Sequence, residues 1–149
     1  MHNHILVPTD GSELSNQAIA HAIEFAKAFG AKLTLLNVLE EFYLHIVYEG
    51  FEVPDKAALK KKYRESQAAT AKRILDPAKQ LVVAAGLQCD AVTLTSDSPC
   101  EAIIKQARKS KCDLIIMASH GRKGLQALLL GSETVKVLTH SKIPVLVCR

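Results

Sequence analysis

Strand-length apolar runs alternate along this chain with segments of helical period, and few architectures can absorb that alternation. The runs are His4 to Thr9, Ala31 to Leu39, Gln88 to Thr95, Cys112 to Ala118 and Ile143 to Cys148. Consecutive parallel strands need a crossover of a dozen or more residues, usually a helix, and every gap between these runs can hold one. Leu114-Ile115-Ile116-Met117 is apolar at every position rather than at every second one, which marks a strand covered on both faces. The expected fold is α/β, a five-stranded parallel open sheet with helices on both faces. At 149 residues, one domain over 1–149 is expected, with no repeat, low-complexity tract or linker.

The helical segments carry their own stop and start signals. In the first, Ala18, Ala22, Phe25, Ala26 and Phe29 fall on one stripe, with Ser12 as N-cap and Gly30 as terminator. In the second, Ala71, Ile74, Leu75, Ala78, Leu81, Val82 and Ala85 share a stripe that Gly86 closes, and Pro77 is expected to interrupt and kink it. Ser98-Pro99-Cys100-Glu101 reads as a capping box with proline at the first helical position. The fourth helix is expected to begin at Ser132 and turn Val135, Leu138 and Thr139 toward the sheet. The connection Glu40 to Lys56 holds Phe42, Tyr43, Tyr48 and Phe51, a large share of the aromatics in a chain with only 4 Phe and 3 Tyr. Connections of this length serve as a lid or partner surface, or simply pack over the sheet end, and both readings stand.

Charge and cysteine usage remove several function classes. The net charge is +4, and the densest basic cluster, Lys60-Lys61-Lys62-Tyr63-Arg64, falls in a helical pattern, where it reads as a solvated face rather than a nucleic-acid patch. The start lacks the features of a signal peptide, and no apolar run approaches the roughly 20 residues that span a bilayer. A cytoplasmic protein without membrane contact is expected. Cys89, Cys100, Cys112 and Cys148 show no C-x-x-C spacing and read as small core residues rather than metal ligands. His2, His4, His21 and His140 have no partner at metal-binding spacing, so no metal site is assigned.

Ligands of open parallel sheets collect outside the carboxyl ends of the strands, where the strand order reverses. Three segments are expected to meet there: Val7-Pro8-Thr9-Asp10-Gly11-Ser12, Asn37-Val38-Leu39, and Ala118-Ser119-His120-Gly121, which runs on to Gly131-Ser132. Glycines beside a strand end let backbone N–H groups approach an anion, and Ser132 at a helix start adds a hydroxyl and the positive end of the dipole. Phosphates fit such a loop. Arg122 and Lys123 either add charge to it or are solvated, His120 reads more simply as a solvated loop residue, and Asp10 either meets a ligand or caps the first helix.

From first strand to last, the chain resembles a universal stress protein domain. Gly131-Ser132 through Ile143-Pro144-Val145-Leu146-Val147 is similar to that family's C-terminal signature. Gly121, the nine residues Arg122 to Leu130, and Gly131-Ser132 match the spacing of its ATP-binding branch, G-x-x-G, nine residues, then G-S/T. Ala118 stands where the first glycine belongs. A register starting at Gly121-Arg122-Lys123-Gly124 leaves only six residues before Gly131 and is rejected. A methyl at Ala118 weakens binding if that position needs a positive φ or if the ribose packs against that backbone.

The resemblance implies a Rossmann-like, adenine nucleotide alpha hydrolase-like sheet of order 3-2-1-4-5. It implies ATP as ligand, with or without Mg2+, held by Pro8, Thr9, Asp10, Val38, Ala118, Ser119, His120, Gly121, Arg122, Gly124, Gly131, Ser132 and Glu133. Asp10 matches the family's acidic residue at the adenosine, and Val38 the position whose backbone faces the adenine. It further implies a homodimer through Ile143 to Cys148, an apolar run expected at a sheet edge, and a regulatory rather than catalytic role with an unnamed protein partner. No catalytic residue is assigned, because the chain has no S-G-G-x-D-S, H-I-G-H or Walker ending and no activated nucleophile. The alternatives are a nucleotide-free dimeric interaction module and a slow ATPase.

Overall fold

β1 (His4–Pro8) opens an alternation that continues through α1 (Glu13–Phe29), β2 (Lys32–Leu39), α2 (Lys56–Ala84), β3 (Cys89–Thr95), α3 (Pro99–Lys109), β4 (Leu114–Ala118), α4 (Ser132–His140) and β5 (Val145–Cys148). The computed structural model describes residues 2–42, 55–121 and 129–149. The strands form one parallel five-stranded sheet in the order β3-β2-β1-β4-β5, as expected. Val7 pairs with Leu35, Leu6 with Ile115, and Ala118 with Cys148.

Alternating side chains feed two cores, which is why the central strands are apolar at every position. Ile5, Val7, Leu33, Leu35, Ile116 and Ala118 meet Ala18 and Ala22 of α1 and Leu75 and Val82 of α2. Leu6, Leu36, Ile115 and Met117 point the other way, onto Cys100, Ile103 and Ala107 of α3 and Val137 of α4. Each fully buried Leu or Ile contributes roughly 1.5–3 kcal/mol. Among the described residues no helix is long and apolar enough to cross a membrane.

The expected strand ends shift by a residue or two for physical reasons. Thr9 lies past β1, although its N–H still donates to Leu36 O. Pro144 precedes β5 because it has no N–H for the ladder, yet its carbonyl accepts from Ile115 N. Ser12 caps α1 through Ser15 N, and Gly30 ends it in the left-handed conformation at φ 69°. Phe29, expected on the buried stripe, is 38% exposed and packs at a tilt beside Phe25.

Three helix expectations are corrected. The Ser98–Glu101 capping box does not form: Ser98 makes no side-chain cap, and Cys100 N donates instead to Glu133 Oε2 at 2.9 Å. A carboxylate reaching over from α4 is a stronger acceptor than a serine hydroxyl. α4 is rotated from the expected face: Val135 and Leu138 are exposed, while Thr134 and Val137 turn inward. The Thr134 hydroxyl donates to Ala118 O at 3.1 Å, anchoring that face to the end of β4. α2 runs unbroken through Pro77, which sits on the exposed side of the helix. Leu81, placed on the buried stripe, is 63% exposed, and the inward positions are Ala71, Leu75, Ala78 and Val82.

With 29 residues, α2 is about 43 Å long at 1.5 Å per residue, against roughly 23 Å for β3. It runs back from the carboxyl edge of the sheet to the amino edge, as a crossover between parallel strands must. Its buried residues all lie in the second half, so the first half overhangs the carboxyl edge. There Lys60, Lys61, Lys62 and Arg64 are solvent-exposed, as expected of a basic helix face. In the Glu40 to Lys56 connection, Tyr43, Tyr48 and Phe51 lie outside the described residues.

Candidate functional site

Short polar contacts hold the carboxyl end of β1 to β2 and α1, and its turn meets the loop after β4. Asn37 Nδ2 donates to Thr9 O at 2.8 Å, tying the exit of β1 to β2. Thr9 Oγ1 shares a hydrogen bond with Ser15 Oγ at 3.0 Å and accepts from Gly11 N, so the turn after β1 is clamped onto α1. Asp10 Oδ1 accepts from Ser12 N at 2.9 Å, the local turn its residue type favours. Its other oxygen lies over Gly121: a Cβ on Gly121 would sit 2.5 Å from Asp10 Oδ2. The loops after β1 and β4 therefore touch, and a side chain at position 121 would have to displace the Asp10 carboxylate.

The loop after β4 closes on itself. Gly131 N donates to Ser119 O at 2.8 Å, and a Cβ on Gly131 would come within 3.1 Å of both His120 Cα and His120 Cβ. Ser119 is buried, its N–H donates to Cys148 O, and its hydroxyl meets His120 Nδ1 at 3.1 Å. Gly131 is the N-cap of α4 and supplies no capping side chain, and Ser132 is the first helical residue, exposed to solvent. The first-turn N–H groups of α4 have no partner within the helix and open onto this loop, with the positive end of the dipole behind them.

The position of Ala118 answers the question of φ. It is the last residue of β4, it is absent from the non-glycine residues with positive φ, and it is only 8% exposed. Its methyl joins the core with Ile5, Val7 and Cys148, so this backbone has no need of glycine. Val38 is half-buried against the α3 side. Leu36 O accepts from Thr9 N, so the backbone groups of Val38, two residues on, point to the same side and past the end of β1.

The structure thus brings Pro8, Thr9, Asp10, Ala118, Ser119, His120, Gly121, Gly131 and Ser132 to one crevice, with Val38 on its β2 wall. Arg122 and Gly124 lie outside the described residues. Glu133 sits in the first turn of α4, with its carboxylate on Cys100 N and on Lys136 Nζ. Sequence reasoning named the Asn37 segment without giving Asn37 a role. The signal was one amide inside an otherwise apolar run. Thr134 was missed as well.

The thiols offer no reactive centre. Cys100, Cys112 and Cys148 are buried free thiols, and burial pushes Cys112 up to about 12 and half-buried Cys89 up to about 11.

A family model described as the universal stress protein family matches residues 1–149. The chain belongs to the universal stress protein family. It is 31% identical to universal stress protein YxiE of Bacillus subtilis over 155 residues, with 100% of both chains covered. The solved structure of MJ0577, a universal stress protein of Methanocaldococcus jannaschii, superposes with a TM-score of 0.83 at 30% identity, over 99% of this chain and 96% of that one. A universal stress protein solved in complex with cAMP superposes with a TM-score of 0.68 at 25% identity, covering 98% of this chain and 95% of that one. The matched span takes in every strand of the sheet, so the crevice above is the carboxyl-edge crevice of a universal stress protein.

Proposed function

We propose that this universal stress protein is an ATP-binding regulatory protein, with the phosphates on the Gly121–Ser132 loop and the adenosine between Asp10 and Val38. One observation carries the reading: the first turn of α4, capped only by Gly131, opens on a loop whose ends are joined by Gly131 N and Ser119 O. Such a helix start takes a phosphate without further adaptation. Three or four charge-assisted hydrogen bonds of roughly 1.5–3 kcal/mol each supply much of the roughly 8.2 kcal/mol of a micromolar site. The cAMP complex of a relative supports an adenine nucleotide here. Mg2+, where used, would arrive on the phosphates, since among the described residues no three His, Cys, Asp or Glu side chains converge on a metal. No base or nucleophile is assigned, and the role is regulatory, exerted in the cytoplasm through a partner protein.

The test is to denature the purified protein, identify released nucleotide by mass, and titrate ATP calorimetrically into wild type and Gly131→Val. A valine there crowds His120 and Ser119 O and is expected to weaken ATP roughly tenfold or more. Absence of both carried-over nucleotide and binding heat in the wild type overturns the reading. We further propose a homodimer through β5, which pairs with β4 on one side and forms one edge of the sheet.

A further inference from the structure

A second cavity, of about 440 Å³, lies one strand away from the crevice, beyond the ends of β2 and β3 and beneath the overhang of α2. Its volume falls within the roughly 300–1,000 Å³ of small-molecule sites. One wall is the first half of α2. The stripe that buries Ala71, Leu75, Ala78 and Val82 continues up the helix, at spacings of four, through half-buried Gln67 and Tyr63. Lys60 and Arg64, both solvent-exposed on the overhang, flank that stripe and line the cavity. Among the described residues neither is in an ion pair.

The other walls are an aromatic pair and the exit of β2. Phe42 and Tyr63 stand with ring centroids 4.9 Å apart, and Gln67 Nε2 donates to Tyr63 Oη at 2.7 Å, which holds the phenol ring in place. Glu40 and Glu41 line the same space, opposite the cations in sign. A ring surface, a cationic wall and a carboxylate are the three elements that recognise a zwitterion bearing an aromatic side chain.

We propose that this cavity binds an aromatic zwitterion of the free aromatic amino acid class. The ligand's carboxylate lies on Lys60 and Arg64, its ring against Phe42 and Tyr63, and its ammonium toward Glu41. The site is independent of the nucleotide crevice and does not rest on ATP binding.

The chain contains no tryptophan, so the indole fluorescence of added L-tryptophan reports binding to the full-length protein directly. The comparison ligands are tryptamine, indole-3-propionate and L-alanine, which lack the carboxylate, the ammonium and the ring. Each is expected to bind roughly tenfold weaker than L-tryptophan. The double variant Lys60→Ala/Arg64→Ala is expected to abolish the preference for L-tryptophan over tryptamine while leaving tryptamine binding within about twofold. Both residues are exposed, and circular dichroism checks the fold. In the wild type, amide shifts on adding L-tryptophan are expected at Leu39, Gln67, Ala68 and Thr95 and not at Ser119 or Ser132. The proposal is overturned by any of four results: no L-tryptophan binding at millimolar concentration, equal binding of the four ligands, an unchanged preference in the double variant, or displacement by ATP.

Discussion

Asn37 shows how a single side chain can be informative and yet nearly invisible in a sequence. Its amide nitrogen holds the Thr9 carbonyl, while Oδ1 is buried without a partner among the described residues, an arrangement that costs about 1–3 kcal/mol. Pattern reading sees only one polar letter in an apolar run, because the need for it arises where two strands end side by side. Ala118 is the converse. The motif marks it as a departure, but its negative φ and buried methyl remove the reason for glycine. Ala118→Gly is therefore expected to leave ATP affinity within about twofold while lowering stability by about 1 kcal/mol, as calorimetry and urea unfolding would show. A tenfold gain in affinity would refute this. His4 is buried with Nε2 on Thr34 Oγ1 at 2.7 Å. Burial and then Lys32 lower its pKa from 6.5, and the Ser110 backbone, Asp90 and Asp113 oppose them without cancelling them. Above 6.5 the ring is neutral in both states and contributes no pH dependence. Below it the unfolded chain takes up a proton that the folded one resists, so stability falls with falling pH, by at most about 1.4 kcal/mol per pH unit. His4→Gln should flatten the urea midpoint between pH 7 and 5, and parallel profiles would exclude the assignment.

At the scale of elements, periodicity found every strand and placed the ends of α1, but misjudged the cap of α3 and the buried face of α4. Ser98 and Glu101 stand at capping-box spacing, yet the donor at Cys100 N goes to Glu133, thirty-three residues on. No local pattern encodes a cap delivered by another helix. The α4 stripe failed similarly: Val135 and Leu138 are the more hydrophobic choice, but the Thr134 hydroxyl needs Ala118 O and fixes the rotation. Glu133→Ala should cost about 1–2 kcal/mol, because it leaves the Cys100 N–H uncapped. Lys136→Ala removes only an exposed ion pair at 2.8 Å and should cost less than about 0.5 kcal/mol. Urea unfolding of both variants separates the two roles, and equal losses would show that the cap is not the stabilising contact.

At the scale of the whole molecule, the sheet order leaves β3 and β5 as edges, and the two differ in character. β3 is polar and exposed along much of its length, with Asp90, Thr93 and Thr95 on the surface, a composition that discourages edge pairing. β5 is Val-Leu-Val-Cys, with its first three residues half-buried in the single chain, and α4 beside it exposes Val135 and Leu138. An apolar edge flanked by apolar helix positions suits an isologous two-fold contact, in which each copy covers the other's edge. Val147 also packs against the α3 side, so Val147→Lys tests both folding and assembly, whereas Leu138→Glu changes an exposed position alone. Both variants are expected to sediment as monomers at concentrations where the wild type sediments as a dimer, and Leu138→Glu is expected to keep the wild-type urea midpoint within about 0.5 kcal/mol. A wild-type monomer would overturn the dimer, and a Leu138→Glu dimer as tight as wild type would place the self-contact elsewhere.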